Sequence, residues 1–286
     1  MGYGSMHLAV KVAYDGSSFH GSQRQGDDDP LSVEGSIAIA LRKVCPDIEW
    51  SEWPIRFSSR TDAGVSALGN VFSLETGMDP DELLRALNAN LTDIWCWGWG
   101  APRPEQNIRW ASSRWYRYHL PPGTVQVEDM EEFNRVLSLF EGEHDFSYLC
   151  KLEEEKNPVT VVESARAFDL SGRGELVIVD VVGSRFLWNQ IRRMVGAALS
   201  VVKGDLENVD LEVLLKEREG DVETLRGKVK PLPPIGLVLM DVKFKDIDFK
   251  VSRDALKLTI ERHAEKAWKS SMSVLLHTAL RSMDQV

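Results

Sequence analysis

The sequence predicts an α+β fold, with helices on one side of a mixed or antiparallel sheet, and three observations predict it. Short segments with strand-type alternation recur along the chain. Stretches of helical apolar spacing separate them. The order of these elements is similar in the two halves, although no sequence repeat is present, and helices interleaved with antiparallel-compatible strands belong to this class.

His7–Tyr14 alternates as a strand and ends at the turn Asp15-Gly16-Ser17. Ser32-Val33-Glu34-Gly35 opens a helix that runs to about Val44. Ile55–Phe57 and Asn70–Leu74 read as short strands on either side of the loop Ser58–Leu68. Asp79-Pro80-Asp81 starts a helix, with proline at its first position and acid in its first turn, and that helix ends near Asn90. Ile94–Trp99 and Tyr116–Leu120 follow as strands. Pro121-Pro122-Gly123 marks a boundary, dividing an N-terminal half (1–121) from a C-terminal half (122–245). The second half offers a helix from about Asp129 to Phe140, strands at Thr160–Asp169 and Glu175–Val182, and a helix from about Arg185 to Lys203. A short helix near Val209–Arg218 precedes a last strand, Gly236–Phe244. Residues 246–286 form a helical extension. From Asp254 to about Ser282, Leu256, Ile260, Ala264 and Ala267 mark one apolar face, which either closes the core or meets a second subunit.

With 286 residues and 43% hydrophobic composition, the chain can bury a sizeable core. Cys45, Cys96 and Cys150 are odd in number and widely spaced, with no zinc-type cluster, so a reducing compartment is expected. Uncharged runs such as Pro231–Met240 stop well short of the roughly 20 residues that span a bilayer, so no membrane association is expected. The formal charge of −10 argues against a polyanionic partner only if acid and base are mixed. They are not. Ten carboxylates between Glu128 and Lys156 face three cations, whereas Arg103, Arg109, Arg114 and Arg117 face only Glu105. This segregation fits either one basic cleft on an acidic body or ordinary solvated helix faces.

Three stretches carry chemistry. In Ser58-Ser59-Arg60-Thr61-Asp62-Ala63-Gly64-Val65, Asp62 suits an Asx-turn as well as a catalytic carboxylate kept ionised by the nearby guanidinium of Arg60. In Arg114-Trp115-Tyr116-Arg117-Tyr118, Tyr116 and Tyr118 share one strand face and Arg117 points to the other. Such a strand lines a core or stacks a base while its cations meet phosphate. In Ser184 through Gly196, Leu187, Ile191, Met194 and Ala198 share a helix face. Arg185 and Arg192, seven apart, align on another, with Arg193 about 100° from Arg192. That second face is a solvated ridge or a reach toward a carboxylate.

Together with Tyr14-Asp15-Gly16, Gln23-Arg24-Gln25, Ser32-Val33-Glu34, Asn88-Ala89-Asn90-Leu91, Gly142-Glu143-His144-Asp145-Phe146 and Gly236-Leu237-Val238-Leu239, these stretches resemble the tRNA pseudouridine synthase A (TruA) family over nearly all of residues 7–244. The resemblance implies two ferredoxin-like (RRM-like) halves joined into one continuous, mostly antiparallel sheet with helices on one face and a central cleft. It implies a cytoplasmic homodimer that isomerises uridine in the tRNA anticodon stem-loop (positions 38–40), without metal or organic cofactor. Asp62 matches the catalytic aspartate, Tyr116 the base-stacking tyrosine and Arg192 the basic partner of the aspartate. Arg60 matches the arginine preceding that aspartate. Arg24, Arg60, Arg117 and Arg193 are the expected RNA contacts. Ser22, Ser59 and Ser66 depart from the tryptophan, glycine and histidine usual in bacterial members, which bears on RNA contacts rather than on the chemistry. Two other functions remain open from the residues alone: an RNA-binding protein without catalysis, and an enzyme of free nucleosides such as a glycosidase.

Overall fold

A computed structural model describes residues 6–26, 29–46, 55–153, 156–216, 225, 227–257 and 260–261. The strands are β1 (Met6–Tyr14), β2 (Arg56–Phe57), β3 (Ser66–Thr76), β4 (Ile94–Gly100), β5 (Ser113–His119), β6 (Gly142–Asp145), β7 (Val159–Asp169), β8 (Val177–Gly183), β9 (Leu237–Lys243) and β10 (Lys250–Val251). The helices are α1 (Val33–Val44), α2 (Pro80–Asn90), α3 (Met130–Ser138), α4 (Gln190–Val202) and α5 (Asn208–Lys216).

One sheet holds all ten strands in the order β10-β4-β1-β3-β9-β5-β8-β7-β6, with β2 also on β3. Every pairing is antiparallel except β3 with β9, where Ser66 lies opposite Val238 and Ala67 opposite Leu239. That parallel junction is where the two halves meet. On either side the same topology appears: β1-α1-β2-β3-α2-β4 gives strand order 4-1-3-2, and β5-α3-β7-β8-α4-β9 repeats it. β5 therefore opens the second unit. Pro121-Pro122-Gly123, read from the sequence as the boundary, is the loop between β5 and α3. Its breakers end a strand rather than a unit.

The local reasons are visible in the caps. The Ser32 side chain accepts from the Gly35 amide at the start of α1, and Asp79 accepts from the Glu82 amide at the start of α2. Each satisfies a backbone donor that the first turn leaves without a partner. Leu8, Val10, Val12 and Tyr14 point from β1 toward the helices and are buried. On the opposite face, Lys11 is 4% exposed. It donates to Asp241 Oδ1 at 2.5 Å and to the Val242 carbonyl at 2.7 Å, and its ammonium lies 4.7 Å from the Phe249 ring centre. Residues 247–251 cover this face: Ile247 is buried and β10 pairs with β4.

Several elements differ from the sequence expectation: β6 was not expected, and β10 forms a strand at Lys250–Val251, where a helical extension from residue 246 was expected, because β4 offers it a free edge to pair with. β3 extends well beyond Asn70–Leu74, because pairing with β1, β2 and β9 recruits small residues of low strand propensity such as Ser66, Ala67 and Gly69. A Cβ at Gly69 would lie 2.7 Å from the Met240 carbonyl oxygen of β9, so only glycine allows this approach. The α4 helix begins at Gln190, not Arg185. Asn189 takes a left-handed conformation (φ 64°) and ends the preceding loop. Arg185 and Arg192 thus do not share a helix face. Of the C-terminal helix, Arg253–Lys257 is helical, and the stretch expected to reach Ser282 lies outside the described residues. Among the described residues no helix is long and apolar enough to cross a membrane. All three cysteines are buried free thiols.

Candidate active site

The helices pack as two pairs, α1 with α2 and α3 with α4, over one face of the sheet. Between the pairs a cleft of about 820 Å³ opens above the central strands. The loop from Phe57 to Ser66 forms one wall, the segment Arg185–Arg192 the other, and β5 the floor.

The loop is held from three sides. Beneath it, the Tyr14 hydroxyl lies 2.8 Å from Thr61 Oγ1, and Asn70 Nδ2 donates to the Tyr14 oxygen at 3.1 Å and to the Ser59 carbonyl at 2.9 Å. Burial pushes the Tyr14 phenol up to about 12, so it stays protonated as part of the brace. Laterally, Ser22 and Thr61 exchange bonds: the Thr61 amide donates to Ser22 Oγ at 2.8 Å and the Ser22 amide to the Thr61 carbonyl at 3.0 Å. Gly64 turns the chain at φ 81°, a conformation other residues adopt only with strain. At the far end the Gly16 amide donates to Ser66 Oγ, and a Cβ on Gly16 would lie 2.1 Å from the Val65 carbonyl oxygen. Ser22 and Ser66, two departures from the family pattern, are thus hydrogen-bonded parts of the loop's frame.

Asp62 emerges from this frame into the cleft. Its Oδ2 accepts from Arg192 Nη1 at 3.1 Å, with the carboxylate side chain 30% exposed and the arginine 14%. The carboxylate makes no bond to the loop's own amides among the described residues, so the Asx-turn is not formed. Arg192 is itself fixed. Nε donates to the Leu232 carbonyl at 2.6 Å and Nη1 to Asn189 Oδ1 at 2.7 Å. Burial raises the Asp62 carboxyl above its ordinary value, opposed first by Arg192 and then by Lys151. The residues of the loop alone pointed to Arg60 as the neighbour holding the acid ionised, while the family resemblance named Arg192 as its basic partner. Arg60 instead lines the exposed mouth of the cleft, and Arg192, from the other half of the chain, makes the contact.

Tyr116 lies on the floor, 6% exposed, with its ring edge-on to Phe186 at 5.5 Å between centres. Burial raises its phenol strongly, and the charge of Asp62 adds to the shift. Arg114 shares this strand face and is 7% exposed. Its Nε donates to Ser59 Oγ at 3.0 Å, Nη2 to the Arg109 carbonyl at 2.8 Å, and Nη1 to the Ser184 carbonyl. One buried cation thereby ties the aspartate loop, the segment before β5 and the segment after β8 together. Two-residue alternation with Tyr116 could have revealed it. Nothing local could have revealed Lys151, whose ammonium sits 3.7 Å from the Trp188 ring centre beside the cleft.

Arg24, Arg60 and Arg192 line the cleft, joined by Arg109, Arg114, Lys156 and Arg185, against Asp62 and Glu153 among the described residues. A basic cleft therefore exists on an acidic chain. Two expected RNA contacts lie elsewhere. Arg117 points through the sheet to the other face, where Nε meets Asp180 Oδ1 at 2.8 Å and the guanidinium lies 5.2 Å from the Trp115 ring centre. Arg193, one residue round the helix from Arg192, donates to the Val229 carbonyl at 2.8 Å and packs the chain after α5. Among the described residues no group of three His, Cys, Asp or Glu could hold a metal.

A sequence model of a family described as tRNA pseudouridine synthase matches residues 136–245. The "tRNA pseudouridine synthase A" of Pyrococcus furiosus is 34% identical over 253 residues, 88% of this chain and 89% of that protein. Those of Pyrococcus abyssi and Thermococcus kodakarensis are 35% and 36% identical, covering 93% and 88% of this chain and 95% and 90% of their own lengths. Among solved structures, a chain of a Cbf5-Nop10-Gar1 complex superposes with a TM-score of 0.33 and 14% identity, over 68% of this chain and 54% of that one. Identity of this level, sustained over nearly the whole length of the archaeal proteins, places the chain in the tRNA pseudouridine synthase family of isomerases.

Proposed function

We propose that this protein isomerises uridine to pseudouridine in tRNA, acting in the anticodon stem-loop at positions 38–40, with Asp62 as the catalytic carboxylate. One observation carries the reading. A part-buried carboxylate, a guanidinium bonded to it and an aromatic floor meet in one solvent-open basic cleft, although they come from both halves of the chain. The reaction breaks N1–C1′, turns the uracil and joins C5 to C1′, with no change of oxidation state. Asp62 acts at C1′ or at the base, and both require an ionised, accessible oxygen. Arg192 supplies the charge and the aim. Tyr116 receives the uracil face, and the proton that leaves C5 passes to water in the open cleft, with the Tyr116 phenol exchanging its own proton as a relay. Extruding the uridine from its stack costs a few kcal/mol, and Arg24 and Arg60 at the mouth offset part of this through phosphate contacts.

The test is Asp62→Ala and Asp62→Asn with tRNA labelled by tritium at uridine C5. Both variants are expected to bind tRNA and to release no tritium above background; release at the wild-type rate rejects the assignment. Mapping pseudouridines in the product checks positions 38–40. We also propose a homodimer, supported by the family resemblance, in a reducing cytoplasm, which suits three buried free thiols. Sedimentation equilibrium should read about twice the chain mass of 32.2 kDa, and a monomer would remove that part of the proposal.

A further inference from the structure

Beside the catalytic cleft lies a second hollow of about 570 Å³ that nothing above employs. The two share a wall: Arg24, Phe57, Arg60 and Arg109 face both. The second hollow adds Arg56 from β2 and, as its carboxylate, Glu34 from the first turn of α1. Glu34 is already engaged, accepting from the Arg24 amide at 3.1 Å. The guanidiniums of Arg56, Arg60 and Arg109 donate to no described residue. Like charges gathered round one depression repel each other, and among the described residues that line it Glu34 is the single carboxylate set against Arg24, Arg56, Arg60 and Arg109.

We propose that this hollow binds the RNA backbone phosphate next to the extruded uridine, with Arg56 and Arg109 as the contacts that define it. The proposal rests on the reading of the main cleft as the uridine site. The occupant has to be anionic, because among the described lining residues four guanidiniums face one carboxylate. A planar guanidinium meets a phosphate through two parallel N–H donors, which an ammonium cannot do. The occupant also has to belong to the strand that enters the main cleft, because the hollows are continuous through Arg60 and Arg109. Extrusion of one nucleotide swings its flanking phosphate off the helical path, and the hollow is where that phosphate is met. Among the described lining residues, the Ser22 hydroxyl is taken up by the Thr61 amide and the Glu34 carboxylate by the Arg24 amide, so neither points to chemistry of its own.

The test uses the full-length chain and transcribed tRNA, over a series of monovalent salt concentrations, with both filter binding and pseudouridine formation as readouts. R56Q/R109Q is compared with wild type, with the charge-keeping R56K/R109K, and with R166Q, an exposed arginine on β7 that lines neither hollow. For the loss of this one phosphate contact, the slope of log binding constant against log salt should flatten by about 0.7, the value per neutralised phosphate for single strands. KM for tRNA should rise about tenfold at moderate salt, more than kcat falls, and R56K/R109K should recover most of the slope. A wild-type slope and KM in R56Q/R109Q would overturn the subsite, as would R166Q matching the double variant. If the wild-type chain forms no pseudouridine, the activity reading fails, and the binding slopes still decide the subsite separately.

Discussion

Asp62 has opposing influences on its charge, and their balance makes a pH prediction. Burial raises its carboxyl, while Arg192 and Lys151 pull it down without cancelling that rise. If the ionised form is the active one, activity is lost as pH falls through a value above the ordinary carboxylate range. Replacing Arg192 by Met removes the larger downward pull, so the acidic limb of kcat/KM should move to higher pH and kcat should drop. A limb that stays in place, or moves to lower pH, would show that Arg192 does not act on this carboxylate. Tyr116 is raised in the same direction by burial, so its phenol stays neutral across this range and should leave no limb of its own near neutrality. At this scale the sequence was informative about identity and poor about partnership. The residue types at Asp62, Tyr116 and Arg192 were visible in their motifs. That Arg192 rather than Arg60 bonds Asp62 depends on a contact 130 residues away in the chain. The pairing of Arg117 with Asp180, on the face away from the cleft, was hidden for the same reason, because Asp180 reaches it only once β5 and β8 pair.

The element that aims Arg192 is the start of α4. Asn189 holds a left-handed backbone, and its side chain accepts from Arg192 Nη1. These two roles separate by substitution. Asn189→Gly keeps the backbone and loses the bond, so kcat should fall several-fold with little loss of thermal stability. Asn189→Ala loses both and should also cost about 1 kcal/mol of stability, since a residue with a Cβ is disfavoured in this region. Equal melting temperatures for the two variants would remove the backbone role. The periodicity of Arg185–Lys203 suggested a longer helix because Leu187 happens to fall in phase with Ile191 and Met194. What stopped the helix was the use made of residues 185–188. Arg185 donates to the carbonyls of Asn157 and Val159, and Phe186 packs on Tyr116. Helix interiors elsewhere were legible, because caps such as Ser32 and Asp79 act locally.

Across the whole molecule, the two halves are joined by β3 against β9 and, on the opposite face, by Lys11 of β1 reaching Asp241 of β9. Burial lowers the Lys11 ammonium below its usual range even though Asp241 opposes the shift. Asp241→Ala would strand that cation and should destabilise the protein by about 3 kcal/mol. A Lys11→Met/Asp241→Leu pair should recover most of it, which thermal unfolding can check. Full loss in the double variant would mean that the carboxylate supports the junction in some other way. The cleft sits directly over this junction, so loosening it should also reduce activity. By itself, the amino-acid order determined the elements, the caps, the segregation of acid from base and the residue types of the site, because each of these depends on neighbours a few positions apart. Only the tertiary structure decided where the second unit begins, how Arg192 is carried to the carboxylate that the resemblance had paired with it, and that Ser22, Asn70 and Arg114 hold the loop. Apart from the Asn70–Ser59 bond, 11 positions long, those depend on contacts between residues 39 to 130 positions apart, where the sheet rather than the local sequence sets the distance.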